Sequence, residues 1–115
     1  MRERLKDDRK GITKKAQACG FEYYCTVNFY EDGIRPAEVF FTIAKQGSVI
    51  AGFARTVAVI LSIALQSGVP WETLYKKMEG IKFDPRDDMH PSLVDAAAHT
   101  INEMVELEKS GKRTE

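Results

Sequence analysis

Between Lys45 and Pro70 the chain holds one stretch that limits what the rest can become. A Gly47-Ser48 corner opens a run from Val49 to Gln66 with no proline and one internal glycine, Gly52, and Gly68-Val69-Pro70 closes it. Ser48 suits a helix N-cap and Gly68 a helix stop, so the spacing predicts a helix of roughly five turns at 3.6 residues each. Ser48, Gly52, Arg55, Val59, Ser62 and Gln66 fall on one narrow stripe, while Ile50, Phe53, Ala54, Val57, Ile60, Leu61, Ile63, Ala64 and Leu65 fill the remaining circumference. A helix that is apolar over most of its surface is expected to be buried on several sides.

Such a length also invites a membrane reading, because about 20 apolar residues cross a bilayer. Arg55 argues against it, since a charge there costs roughly 2.5 to 3.5 kcal/mol on insertion scales. Thr56, Ser62 and Gln66 add polarity, and neither end carries an aromatic or basic anchor set. The reading is therefore a soluble domain with no membrane association. A domain of this size offers the helix one sheet face, so its other side is expected to meet a second chain, making a homo-oligomer, dimer or higher.

The 115 residues suit one domain with a modest core. Basic and acidic residues balance at 17 each, yet the first fifteen positions carry Arg2, Arg4, Lys6, Arg9, Lys10, Lys14 and Lys15 against Glu3, Asp7 and Asp8. That local excess suits a phosphate-rich ligand, but without a basic total a nucleic-acid partner is not expected, and the plain alternative is a solvated arm. The charged start lacks the apolar centre of a signal peptide, which gives a cytoplasmic expectation. Cys19 and Cys25 flank a turn; with Gly20-Phe21 at its tip, Ala16 would face Cys25, and both thiols read as reduced. Their spacing is not Cys-x-x-Cys, and His90 and His99 are too far apart to share a zinc ion on one helix face, so no metal or cofactor is expected.

In chain order, residues 1–10 read as a charged arm, extended or loosely ordered unless a partner ties it down, 11–109 as a single α+β domain, and 110–115 as a disordered tail. Ile12 to Cys19 makes a first strand. Glu22 to Tyr30 makes a second, with Tyr23, Cys25, Val27 and Phe29 on its core face, and Glu38 to Ala44 a third, with Val39, Phe41 and Ile43 aligned. Short loops between them imply an antiparallel meander. Pro70 starts a short helix carrying Trp71, Leu74, Tyr75 and Met78, which Gly80 stops. Asp84, Asp87, Asp88 and His90 form an acidic loop, read as a solvated connection or a divalent-cation site. Ser92 then starts a terminal helix whose Val94, Ala97, Ala98, Ile101, Met104 and Val105 form an apolar stripe opposite Asp95, Glu103 and Glu106. The expected fold is a three-stranded antiparallel sheet packed on the long central helix, with a short helix and a C-terminal helix.

One local pattern carries chemistry: a strand delivering Lys45-Gln46-Gly47-Ser48 to a helix N-terminus. Unpaired backbone N–H groups and the positive end of the helix dipole meet there; Gly47 permits close approach, Ser48 adds a hydroxyl and Lys45 a charge. Arg55, two turns along the same stripe, could reach the same anion or pair with Glu38. The candidate phosphate or nucleotide site is Lys45, Gly47, Ser48 and Arg55; the alternative is an ordinary corner and cap with Arg55 in an ion pair. A Walker loop is absent.

Arg2-Glu3-Arg4-Leu5, Ile12-Thr13-Lys14-Lys15, Tyr30-Glu31-Asp32-Gly33, Glu38-Val39-Phe40, Ala44-Lys45-Gln46-Gly47-Ser48, Gly52, Leu65-Gln66-Ser67-Gly68-Val69-Pro70 and Phe83-Asp84-Pro85 occur in order over most of the chain. In these pieces it resembles the C-terminal TSCPD-type domain of adenosylcobalamin (vitamin B12)-dependent ribonucleoside-diphosphate reductases. The resemblance implies a domain beyond the catalytic barrel that holds cobalamin, substrate and the radical cysteine, and none of that barrel is present. The chain also lacks the Thr-Ser-Cys-Pro-Asp motif and the terminal cysteine pair, so no redox role carries over. The resemblance and the Met1 start point to a free-standing small protein of accessory or phage type.

No Ser/His/Asp set, activated cysteine or carboxylate pair supports catalysis by this chain alone. The function expected is a non-catalytic, oligomeric accessory domain that binds a nucleotide or another phosphate-bearing small molecule. Two alternatives stand beside it: a phage-type sponge sequestering cyclic or ADP-ribose-like immune signalling nucleotides, and a docking module for a separate ribonucleotide reductase subunit, with Phe40, Tyr24 and Trp71 as surface anchors.

Overall fold

Two consecutive residues with positive φ start the fold: Cys19 (φ 55°) and Gly20 (φ 83°). That pair of left-handed conformations makes a tight hairpin turn whose twist matches its strands. It joins β1 (Gly11–Ala18) to β2 (Phe21–Phe29) in a register running from Ala18 opposite Phe21 to Gly11 opposite Asn28. The turn lies one residue earlier than a Gly20-Phe21 tip implies, so Ala16 faces Tyr23 rather than Cys25, and Cys25 faces Lys14. The cost of a left-handed Cys19 is offset from outside the hairpin, where its N–H donates to Asp87 Oδ2 at 2.7 Å.

The structure, a computed structural model, describes residues 3, 5–43, 49–83 and 86–111. After β2, Asp32 Oδ1 accepts from the backbone N–H groups of Ile34 (2.8 Å) and Arg35 (2.9 Å), closing a turn that returns the chain as β3 (Pro36–Ile43). β3 pairs antiparallel with β2, and the sheet order is β1-β2-β3. Alternation sorts the two faces. Tyr23, Cys25, Val27, Phe29, Val39 and Ile43 are buried on one, while Tyr24 and Phe40 stand exposed on the other.

Helix α3 (Leu93–Ser110) covers the buried face with Ala98, Ile101, Met104 and Val105, each at 2% exposure or less. Ser92 caps it by accepting from Asp95 N–H at 3.0 Å, and Gly111 ends it in the left-handed conformation. The short α2 (Trp71–Met78) follows Pro70, and Trp71 is buried with its indole N–H donating to Asn102 Oδ1 at 3.0 Å. Trp71 is thus a core residue rather than a surface anchor, because its ring and its one donor are both spent inside the domain.

Helix α1 (Val49–Gln66) lies along the free edge of β3. Val39 N–H donates to Ser62 Oγ (2.9 Å), and the Ser62 hydroxyl donates back toward Val39 O (3.1 Å) or Ala58 O (2.9 Å). One turn on, Gln66 Nε2 donates to Ala37 O at 3.1 Å. A helix therefore supplies the polar partners that a further strand would have given to this edge. Burial on several sides does not follow from the single chain. Only Ala58, Leu61, Leu65 and Gln66 are buried, whereas Val49, Phe53 and Ile60 are 74%, 67% and 61% exposed. By length and composition α1 is apolar enough to cross a membrane, but its inner stripe is committed to β3 and the core.

The described part of the N-terminal arm is tied to its own domain. Glu3 N–H donates to Gln66 O (2.7 Å), Tyr30 Oη to Glu3 O (3.2 Å) and Phe29 N–H to Lys10 O (2.9 Å). Lys10 Nζ also reaches the buried Glu108 carboxylate at 2.7 Å, and Lys6 pairs with Glu31.

Ser62→Ala is expected to lower unfolding free energy by about 1–3 kcal/mol, because it strips the partner from a backbone N–H at a covered edge. Ser67→Ala, at an exposed position, is expected to change it by less than about 0.5 kcal/mol. Chemical denaturation at unchanged m-value makes the comparison.

Candidate functional site

Of the candidate phosphate-site residues, Arg55 is described and Lys45, Gly47 and Ser48 lie outside the described residues, as does Asp84 of the acidic loop. Arg55 is exposed on α1. Its alternative partner Glu38 is engaged elsewhere: Oε1 accepts from Arg9 Nε (3.1 Å) and from Asn28 Nδ2 (2.8 Å). Among the described residues Arg55 makes no ion pair.

Between the end of β3 and the first turns of α1 the structure forms a cleft of ≈ 90 Å³ with an almost wholly apolar lining. Ile43 and Tyr23 supply the sheet wall, Ile50, Phe53 and Val57 the α1 wall, and Leu93 and Val94 the start of α3, with Met78 and Phe83 completing the lining. Such a lining suits an aliphatic or aromatic group and offers nothing to a phosphate. A second recess, ≈ 720 Å³, is charged and lies between the arm and the β2–β3 loop. Its cations are already engaged. Arg35 is held by Asp32 and Glu3 and stacks over Tyr30 at 4.5 Å, and Lys6, Arg9 and Lys10 have the carboxylate partners named above. Asp32, with the Arg35 N–H its strongest influence, is held down at about 2.

A cluster that periodicity did not reveal surrounds Asp95. Placed on the polar side of the last helix by spacing, Asp95 is instead 3% exposed. Its Oδ1 accepts from Gly80 N–H at 2.6 Å and lies 3.3 Å from His99 Nε2, while Oδ2 lies 3.0 Å from His90 Nδ1. Tyr75 Oη and His99 Nδ1 are 3.1 Å apart. One carboxylate thereby joins the end of α2, the loop before α3 and the first turns of α3. Burial alone would push the Asp95 carboxyl up, but the Gly80 hydrogen bond and the two imidazoles outweigh it and hold it below the usual carboxylate range.

Next to this cluster Asp87 accepts from Cys19, His90 and Met89 N–H groups, which bring its carboxyl down. The acidic loop is therefore organised by hydrogen bonding to backbone N–H groups. Among the described residues no three His, Cys, Asp or Glu side chains are arranged to hold a metal ion. Both cysteines are free and buried. Burial, then the Asp87 charge, pushes the Cys19 thiol up, and burial pushes Cys25 to about 12, the reverse of what a thiolate nucleophile needs.

The TSCPD domain family model matches residues 1–105, and the chain belongs to the TSCPD domain family. It is similar to a vitamin B12-dependent ribonucleotide reductase of Rhodopirellula baltica, at 39% identity over 95% of this chain and 9% of the relative. A protein of the same name from Streptantibioticus cattleyicolor is 41% identical over 74% of this chain and 14% of its own length, and one from Bradyrhizobium diazoefficiens 34% over 73% and 7%. The chain thus spans a small fraction of the curated relatives it matches. No solved structure matches it.

Two outcomes follow. Because Asp95 has a folded pKa below its unfolded value, its contribution is present above the ordinary carboxylate range and is lost as pH falls through the folded value. Asp95→Asn is therefore expected to cost about 1–3 kcal/mol near neutral pH, with the gap to wild type closing below about pH 4, as read from denaturation across pH. Cys25 is expected to react with a thiol reagent only after denaturant is added, which a time course with and without urea checks.

Proposed function

We propose that the chain is a non-catalytic, homo-oligomeric accessory domain of the ribonucleotide reductase type, acting in the cytoplasm, that binds a nucleotide or another phosphate-bearing small molecule. The observation that carries the binding character is how the described polar groups are spent. Among the described residues, Asp87, Asp95, His90 and the two thiols serve turns, interior hydrogen bonds and the core, whereas Arg55 stands exposed on α1 with no ion pair. Relatives bearing the reductase name, of which the chain spans 9% and 14%, support an accessory rather than a catalytic part. The anion is held at the corner of Lys45, Gly47 and Ser48, with Arg55 contributing charge from the helix flank.

A second reading, docking on a separate reductase subunit, is favoured by the outer sheet face, where Phe40 (50%) and Tyr24 (43%) stand exposed. Phe40→Ser would then weaken capture of that subunit and leave the ligand bound.

Calorimetry with a panel of nucleotides, cyclic ones included, tests the first reading. Arg55→Ala and Lys45→Ala are each expected to weaken binding about tenfold, since a charge-assisted hydrogen bond contributes roughly 1.5–3 kcal/mol, and Ser48→Ala less. No binding by wild type, or equal binding by wild type and Arg55→Ala, returns the corner to an ordinary helix cap.

A further inference from the structure

The outward side of α1 has a regular spacing. Val49, Phe53, Thr56, Ile60 and Ile63 recur at alternating steps of four and three residues, with Gly52 and Val59 beside them, the pattern of a helix that packs along a second helix. All seven are exposed, and none is charged; Arg55 stands beside the stripe, not in it. A Cβ placed on Gly52 would meet nothing within 4 Å, so the backbone there is open to close approach. Thr56 donates its hydroxyl to Gly52 O at 3.0 Å, which spends its polar atom on the helix itself.

We propose that this stripe is the contact between two copies of the chain, with their α1 helices antiparallel and crossing at Thr56. The inference rests on the homo-oligomeric part of the reading above and is independent of its ligand. Register is the argument for a second copy. An antiparallel crossing at Thr56 sets Gly52 opposite Ile60, Phe53 opposite Val59 and Val49 opposite Ile63, so each bulky side chain meets a smaller or equal one. A parallel pair would set Phe53 on Phe53, Ile60 on Ile60 and glycine on glycine, leaving overlaps beside gaps. None of the seven meeting residues is charged, and the crossing leaves Arg55 of each copy on the flank, where its exposed guanidinium stays in solvent. Val49, Phe53, Val59, Ile60 and Ile63 are 43–74% exposed, so a second copy laid along the stripe removes from water the apolar surface that the single chain leaves bare.

Sedimentation velocity of the full chain up to about 100 µM is expected to show a dimer, with Phe53→Asp and Ile60→Asp each raising its dissociation constant at least about a hundredfold. Both side chains project into solvent, so circular dichroism of the variants should report a folded monomer, and Phe40→Asp on the outer sheet should still dimerise. Thr56→Cys should form a disulfide-linked dimer under mild oxidation. Val49→Cys should not, since its two copies stand about 20 Å apart in the antiparallel register, and the native thiols are buried. A wild type that stays monomeric overturns both this contact and the homo-oligomeric reading, and a monomer that floats with phosphatidylcholine vesicles gives the face to a bilayer instead. A dimer indifferent to both Asp variants overturns the contact alone, and Val49→Cys linking in preference to Thr56→Cys overturns the antiparallel register.

Discussion

The hydrogen bonds between Ser62 and Val39 set the remaining geometry of this domain. β3 is the last strand of a three-stranded sheet, and its outward N–H and C=O groups would otherwise be open to another strand. Ser62 and Gln66 answer them with one hydroxyl and one amide, which fixes the rotation of α1 about its own axis. Once that stripe faces β3, Ala58, Leu61 and Leu65 must enter the core, and Val49, Phe53 and Ile60 must point away from it. Turning the helix to bury Phe53 would withdraw both polar side chains and leave the Val39 N–H without its partner, a penalty comparable to the burial gained. The exposed apolar face is therefore a consequence of how the edge is closed.

A second set of polar contacts works at the opposite end. Asp87 holds the left-handed Cys19 of the β1–β2 turn, and Asp95 holds Gly80, His90 and His99. Through these two carboxylates the hairpin tip, the end of α2 and the beginning of α3 become one unit. The apolar cleft opens between that unit and the first turns of α1. Its walls therefore come from parts of the chain with separate anchors: the edge bonds on one side, the carboxylate cluster on the other.

What could be read from the sequence were the features set by short-range rules. Alternation placed Tyr23, Cys25, Val27 and Phe29 on the buried face, Ser92 and Gly68 marked helix ends, and the run from Val49 to Gln66 forms one helix with the expected bounds. The β1–β2 turn lies one residue earlier than Gly20-Phe21 suggests, which moves the strand pairing by two, because it requires left-handed backbone at Cys19, a conformation favoured by glycine and supported here by a contact 68 positions away. Asp95 and Trp71 were misplaced for a related reason. Helical spacing says which side a residue occupies, not whether another element will close over that side, and Gly80, His90 and Asn102 do so here. The polar stripe on α1 was visible as spacing, but its purpose depends on β3 lying at the sheet edge, which is a property of topology.

The distribution of unused chemistry bears on what the described residues can do. Its buried carboxylates already accept several donors, its thiols are shifted away from ionisation, and its described cations in the charged recess are paired. Groups so committed respond weakly to a passing substrate, because each new contact must first break an existing one. The outer face of α1 has no such prior commitment. Apolar burial is non-directional and scales with area, so it provides association without specifying a partner; specificity then has to come from shape, and on this face shape is set by the glycine at one end of the seam and the β-branched side chains at the other.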